Sequence, residues 1–414
     1  DVSYFKTSSP GSATVNMVKS LGEPLQVLLF FPENNEVAPE VEEYVRALRD
    51  ASANLNFSAH DRLLDAELAK EHRVSREGTI VLLNDKKSES FTVSTDIVAA
   101  RKRSLREFDS KFQTALMSVI RDAKIACMMV GHGELNDPKS VGAMGTPSGL
   151  AKSTRIRKEL TKLNYKVEDY EGYGQPVPED CSILFVLAPR IALLEEELRA
   201  IDDYLAEDGS AIIAMDPQAK MRLGLLQERL GASFDPTPIA DDKKFMQRTR
   251  SVTDHSLILT NQVLSHASVS MVSRGAANSA MLFVGAGSFE IVPFAEGLDQ
   301  YKNYNVIRSM NSSFRDLSAD GVRRNYQFDK ETEKRDRYNR VLAVDGNPAD
   351  KTTGMRVVLI SDADILTDFI IERVPIVQDM IVDAIKWTGG EEAYSGKTVS
   401  EKDERIEHTK SQDA

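Results

Sequence analysis

Three apolar runs constrain this chain more than anything else in it. Residues 125–130, 183–188 and 211–215 are almost continuously apolar, and each breaks off at a Gly, a Pro or an Asp-Pro pair. A strand with one wet face alternates apolar and polar side chains. A strand without alternation is buried on both faces, as in a parallel sheet covered by helices. Segments with helical spacing surround these runs, at residues 150–163, 191–205 and 221–230. The last two stop at Gly209 and Gly231, a C-terminal helix signal. The alternation predicts a doubly wound α/β sheet in a domain of residues 123–390.

The first part of the chain reads differently. Residues 25–31 form an apolar run ending at Pro32, and Val41, Tyr44, Val45 and Leu48 follow at helical spacing. Residues 55–59 alternate, 65–72 suit a short helix, and 79–83 with 89–93 suit a hairpin. Phe108, Phe112, Leu116 and Ile120 then recur every four residues. This β-α-β-α-β-β-α order over residues 25–122 predicts a thioredoxin-like domain. It carries no Cys-x-x-Cys, so redox catalysis is not expected. Residues 1–24 read as a polar lead-in and 391–414 as a charged, solvated linker.

Helices fade from about residue 265 to 340, which reads as a β-rich insertion. Short β-type runs occur at 268–272, 280–284 and 290–292, and a polar, loop-like stretch covers 298–334. Strands at 341–344 and 355–360 and a helix at 374–387 close the domain.

The 414 residues carry 52 Lys and Arg against 64 Asp and Glu, a net charge of −12. Nucleic acid demands a basic face, so it is not an expected partner. No apolar run approaches the roughly 20 residues that span a bilayer. Two cysteines exclude a disulfide scaffold and a multi-cysteine metal cluster.

Candidate sites lie where strands end, since open α/β sheets bind ligands beyond the carboxyl ends of their strands. Gly131-His132-Gly133-Glu134 follows the first buried run. His132 and Glu134 could ligate a metal or act as acid and base, but a tight turn with local hydrogen bonds is the favoured reading. Asp216 ends another run, and Asp362 and Asp364 follow the strand at 355–360. These carboxylates could hold Mg²⁺ or Ca²⁺, but helix capping is favoured. Cys127 sits inside an apolar strand and Cys181 precedes one, so neither stands on a nucleophile elbow. The sequence leaves their pairing open. Gly285-Ala286-Gly287 is too short for a dinucleotide fingerprint, and there is no Walker A sequence. No cofactor, resident metal or catalytic set is expected.

Taken in order, several segments resemble one family: the GldG-like auxiliary, extracytoplasmic components of ABC-2-type transport systems, associated with gliding motility. They are the run at 27–32, the Gly78-Thr79-Ile80-Val81-Leu82 stretch and Gly131-His132-Gly133-Glu134. The stretch from Tyr204 through Gly209 to Asp216-Pro217 and the closing 357–364 and Ile385-Lys386-Trp387 complete the set. Asp208 stands where the family often has Gly, and Thr388 where Leu usually follows Trp.

The resemblance implies a thioredoxin-like domain followed by a class I glutamine-amidotransferase-like, intraflagellar-transport-like α/β domain. It implies a periplasmic protein anchored to the cytoplasmic membrane by helices before residue 1 and after residue 414. That agrees with a chain that starts without Met. The implied partners are an ABC-2-type permease and its ATPase subunit, and scattered apolar surface residues permit a homo-dimer. A non-catalytic accessory subunit is the expected function. The alternatives are a structural module of a motility or envelope complex, and a hydrolase or amidotransferase-like enzyme using His132 and Glu134.

Overall fold

The computed structural model describes residues 9–137, 153–277, 279–317, 325–350 and 354–391. The chain divides into two compact units that part between Asp122 and Ala123.

The first unit runs α1 (Ser12–Lys19), β1 (Leu25–Phe30), α2 (Ala38–Arg49), β2 (Leu55–His60), α3 (Ala66–Glu71), β3 (Thr79–Leu83), β4 (Ser88–Thr92), α4 (Ile97–Ala99) and α5 (Phe108–Ile120). Its sheet has the order β2-β1-β3-β4. β1 pairs parallel with β2 and antiparallel with β3, and β4 closes a hairpin on β3. The apolar β1 lies inside the sheet, and the polar Ser88–Thr92 forms an exposed edge. Val41, Tyr44, Val45 and Leu48 are the buried stripe of α2. The rings of Phe108 and Phe112 meet Tyr44 edge-on, at 4.8 and 5.4 Å.

The expected lead-in contains a packed helix. In α1, Ala13, Thr14, Met17 and Val18 are buried. The reason is Asp109 of α5, whose Oδ1 accepts hydrogen bonds from the Gly11 N–H, the Thr14 hydroxyl and the Tyr44 hydroxyl at 3.0, 2.8 and 2.6 Å. A buried carboxylate needs such donors. Burial and this neighbour push the Tyr44 hydroxyl well above its usual pKa.

The second unit contains β5 (Lys124–Met129), α6 (Thr154–Lys162), β6 (Tyr165–Tyr170), β7 (Cys181–Leu187), α7 (Glu195–Ala206), β8 (Ser210–Ala214), α8 (Leu226–Leu230), β9 (Ala232–Asp235), β10 (Ile239–Ala240), β11 (Leu257–Thr260), β12 (Gln262–Val263), α9 (Ser270–Gly275), β13 (Met281–Val284), β14 (Ser288–Ile291), β15 (Lys302–Arg308), β16 (Phe314–Arg315), β17 (Asn339–Asp345), β18 (Arg356–Ile360), α10 (Asp368–Arg373) and α11 (Pro375–Thr388). The large sheet has the order β12-β15-β17-β18-β8-β7-β5-β6, with β14 and β9 attached at β17. From β6 to β18 its neighbours are parallel, and β17 and β15 continue it antiparallel. The unit is thus mixed α/β, as the apolar runs predict. One face carries Cys127, Met129, Leu184, Val186, Ala211, Ile213, Val357 and Leu359, packed with Ile201 and Leu205 of α7 and Leu226 and Leu230 of α8. Helix α11 packs on the other face against β8 and β18.

Three local expectations fail, and the first is the helix expected at 221–230, which starts only at Leu226. Residues 267–275 are helical rather than extended, because the buried Asp383 of α11 accepts the N–H groups of Met271 and Val272 and the Ser270 hydroxyl. That cap stabilises a helix start which Val269, Met271 and Val272 do not favour by themselves. The stretch expected as a loop at 298–334 contains β15, which joins the main sheet beside β17. Its Tyr and Asn residues hid a strand whose apolar side chains, Val306 and Ile307, come late in it. The expected helix at 150–163 begins outside the described residues; α6 covers its second half. The charged stretch after residue 391 also lies outside them.

Candidate functional site

The candidate residues converge on one place, the carboxyl edge of the parallel strands. Five loops meet there, following β5, β6, β7, β8 and β18. Their positions follow from the sheet itself, since parallel strands send every outgoing loop to the same side.

His132 stands in the loop after β5 and is buried. Its Nδ1 lies 3.2 Å from Glu134 Oε1, and its Nε2 lies 3.0 Å from Glu197 Oε1. Glu134 and Glu197 are also buried. The His132 N–H donates to Glu134 Oε2 at 2.8 Å, which closes the turn on itself. Glu197 is the third residue of α7, and its Oε2 accepts the Leu194 N–H at 2.8 Å, capping that helix. Its Oε1 also accepts the Tyr173 N–H at 3.0 Å. The His132 carbonyl in turn accepts the N–H groups of Arg190 and Ile191, each at 2.9 Å.

One His–Glu pair therefore ties together the loops after β5, β6 and β7. The close approach demands glycine at two places. A Cβ on Gly131, at φ 108°, would stand 2.7 Å from the Tyr173 hydroxyl. A Cβ on Gly172, at φ 74°, would stand 3.1 Å from Glu197 Oε1.

Both imidazole nitrogens face carboxylates. A neutral ring has one N–H, so the arrangement needs a second proton, on the ring or on a carboxyl group. Burial pushes the Glu134 carboxyl above its usual pKa, although the backbone N–H groups and His132 pull it down. Both nitrogens are engaged by buried carboxylates on different loops. The geometry is that of a clamp.

Asp216, Asp362 and Asp364 form a second group. One oxygen from each lies within 4.8 Å of the others. Asp362 is buried: desolvation pushes its carboxyl well above the usual range, and the charges of Asp364 and Asp216 add to the rise. Its Oδ2 accepts the Val284 N–H at 2.5 Å and its Oδ1 the Asp364 N–H at 2.9 Å. Asp216 Oδ1 accepts the Gln218 N–H at 2.7 Å. The bonds to Asp364 and Gln218 close turns two residues ahead; the first also gives Asp362 the leading N–H of the 3₁₀ turn Asp364–Leu366, a cap on a shorter helix than expected, while the bond from Val284 ties Asp362 to β13. Desolvation also raises Asp364, which stands at the surface, and Arg190 pulls it back. Three carboxylates this close either share protons or hold a cation such as Mg²⁺ or Ca²⁺ between them.

The five residues singled out in the sequence thus reach one sheet edge in two groups. Arg190 stands beside both, with its Cβ 3.3 Å from where a Gly133 Cβ would be. Sequence reasoning missed Glu197, which looks like one of three glutamates opening an amphipathic helix. Its position three residues after Leu194 was the available signal. It also missed Arg340, fully buried in β17, whose pKa burial lowers to about 10. Its Nη1 donates to the Gly287 carbonyl at 2.5 Å. Cys127 and Cys181 form a disulfide between β5 and β7, with Cα atoms 5.9 Å apart, so neither is a free thiol.

A family model described as an ABC-type uncharacterized transport system matches residues 123–383. No curated protein matches the chain. Among solved structures, the chain is similar to the mmIFT52 N-terminal domain, at 9% identity and a TM-score of 0.44, covering 64% of this chain and 97% of that one. It is similar to a ThuA-like protein from Bacteroides uniformis at 10% identity and a TM-score of 0.30, covering 64% and 91%. It is also similar to the exo-beta-1,4-mannosidase Op5Man5 from an Opitutaceae bacterium at 11% identity and a TM-score of 0.28. There it covers 86% of this chain and half of the mannosidase.

Proposed function

The chain belongs to the auxiliary family of the ABC-type uncharacterized transport system, and from that premise we propose a non-catalytic, extracytoplasmic subunit that binds a partner or substrate and couples it to the membrane permease and its ATPase. The GldG-like setting, gliding motility or envelope transport, and anchoring to the cytoplasmic membrane are part of this proposal. So is a thioredoxin-like reading of the first unit, in which β1 lies between parallel β2 and antiparallel β3.

The observation that carries the non-catalytic reading is the state of the two chemical motifs. His132 is engaged at both ring nitrogens by buried carboxylates, and both cysteines are joined. A hydrolase or amidotransferase of this architecture needs a free nucleophile and a base that can reach it. The disulfide also supports an extracytoplasmic site, because disulfides persist in oxidising compartments and are rare in reducing ones. Among the described residues no helix is long and apolar enough to cross a membrane, so the anchor belongs to the proposal and to its test.

The test is affinity purification of the tagged full-length protein from detergent-solubilised native membranes, with mass spectrometry of what accompanies it. An ABC permease and ATPase at comparable yield is the expected result. Envelope or motility proteins without an ATPase would overturn the coupling role in favour of a structural one. Loss of function in the native host on His132→Ala with Glu134→Ala, in a variant that still folds and still co-purifies, would overturn the non-catalytic reading.

A further inference from the structure

The first unit brings three side chains of a different chemistry together on the outermost strand of its sheet. β2 stands at the end of the sheet order, beside β1. Ser58 and His60 lie two residues apart on it, so their side chains share one face. Nε2 of His60 is 2.8 Å from Ser58 Oγ, and Nδ1 is 3.1 Å from Asp65 Oδ2. The imidazole thus has a hydroxyl at one end and a carboxylate at the other.

The surroundings fix this order. His60 is in register with Phe30 of β1, and the two rings meet at 5.5 Å between centroids. The turn at 61–64 returns the chain to the imidazole. Asp61 closes that turn: its Oδ1 accepts the N–H groups of Leu63 and Leu64 at 2.7 and 3.2 Å, and its carbonyl accepts the Asp65 N–H at 2.8 Å. Asp65 then occupies the cap position of α3, yet its carboxylate makes no capping bond. An Asp at a helix start ordinarily turns to the first free N–H groups. This one turns to His60.

The protons follow from the donors. An ionised carboxylate only accepts, so Nδ1 carries the hydrogen that points at Asp65. Nε2 keeps its lone pair toward Ser58, whose hydroxyl donates to it. Gln26 lies on the same face of β1 as Phe30, and its Nε2 donates to Ser58 Oγ at 3.3 Å. A base on the serine proton, a carboxylate that holds the tautomer of that base and an amide N–H beside the serine oxygen are the parts that activate a hydroxyl nucleophile. The side chains of His60 and Asp65 are 21% and 45% exposed, so a reagent reaches them from solvent. An exposed pair of this kind contributes little to stability.

We propose that Ser58 is an acyl-accepting nucleophile, with His60 as its general base, Asp65 as the positioning residue and Gln26 as donor to the oxyanion. The acyl donor is an activated ester or thioester. Ser58 Oγ bonds to the carbonyl carbon while its proton passes to His60 Nε2, and the carbonyl oxygen takes the negative charge beside Gln26 Nε2. On collapse the bond to the leaving oxygen or sulfur breaks, and His60 returns the proton to it. The products are an acyl-serine and a free alcohol or thiol. This goes beyond the accessory-subunit reading, whose non-catalytic character rests on His132 and the cysteines of the second unit, and it stands or falls independently of it.

The test treats the full chain with p-nitrophenyl acetate and, in parallel, with a fluorophosphonate, whose phosphorus the serine attacks with loss of fluoride. Peptide mass spectrometry locates the adduct. The expected result is one adduct per chain, on Ser58, and none on Ser58→Ala. His60→Gln and Gln26→Leu each slow adduct formation about a hundredfold, at an unchanged urea midpoint. Asp65 is read by nitrogen NMR: the native ring shows the Nδ1–H tautomer, Asp65→Asn loses both that signature and the rate, and Asp65→Glu recovers both in part. The adduct map and the native tautomer are read on the unaltered chain, so they decide whatever a variant does to folding. The proposal is overturned if no adduct forms, if other serines are labelled as fast as Ser58, or if the native ring is the Nε2–H tautomer. It is also overturned if His60→Gln leaves the rate unchanged.

Discussion

Two acidic groups occupy the same sheet edge and have opposite electrostatics. Around His132, the carboxylates face hydrogen-bonding partners inside the protein: Glu134 and Glu197 face the two ring nitrogens, and Glu197 also accepts two backbone N–H groups. Around Asp362, carboxylate faces carboxylate, and Arg190 alone is seen to pull Asp364 back down. The difference teaches what each can do. A matched group is stable by itself and holds the loops in place. A mismatched one costs stability until a proton or an external cation relieves it.

The largest effect is expected from breaking the matched group. Glu197→Ala leaves a buried imidazole nitrogen and the N–H groups of Tyr173 and Leu194 without their acceptor. Removing one partner of a buried pair costs about 4 kcal/mol, read as a drop in the urea midpoint at unchanged slope. A loss below about 1 kcal/mol would place the clamp among ordinary surface contacts and undo the comparison.

Next comes the bond that fixes the strands carrying it. The disulfide joins β5 to β7 across a sequence separation of 54. Replacing both cysteines by Ala is expected to cost about 3 kcal/mol, since the bridge restricts the unfolded chain. Thermal unfolding with and without reductant should give the same difference in the native protein, and a reductant effect in the double variant would contradict it.

The mismatched group should respond with the opposite sign. Asp364→Asn removes one of the crowded charges and should stabilise the protein at pH 7. Because Asp364 is exposed, the gain is small, about 0.5 kcal/mol. The pH dependence follows from the raised pKa values of Asp362 and Asp364. The folded state holds these protons to higher pH than the unfolded chain does. Stability therefore falls as pH rises from the ordinary Asp range through the folded values, and the cost is fully present above them. The variant's advantage should vanish near about pH 3, where both states are protonated. An advantage that persists there would show that charge crowding is not its source. The smallest expected effect is that of Arg190→Gln, which should raise the Asp364 carboxyl further when titrated by carbon NMR, with little change in stability.

Much of this molecule could be read before folding. The unbroken apolar runs at 125–130, 183–188 and 211–215 have no polar side to show to water, so they had to become interior strands of a covered sheet. The residues immediately after them, and after the strand expected at 355–360, had to reach its carboxyl edge. His132, Glu134, Asp216, Asp362 and Asp364 were found in this way. Glu197 was not, because its partner lies 65 positions earlier, as the numbering of His132 and Glu197 gives it, and no local pattern records a contact between loops. β15 was overlooked because Lys302–Arg308 carries only two buried apolar side chains; its place beside β17 comes from pairing, not from composition. The helix at Ser270–Gly275 was misread for a similar reason: its cap, Asp383, is supplied from α11.

The sequence by itself determined the class of sheet, the edge at which polar residues gather and the family to which the chain belongs. The tertiary structure alone decided which of those polar residues meet. Strand burial depends on a few consecutive side chains and is written locally. The matching of His132 to Glu197, the crowding of Asp216 against Asp362 and Asp364, and the joining of Cys127 to Cys181 depend on distances between loops and strands remote in sequence. Coulomb and hydrogen-bond energies act only over the few ångströms that folding sets.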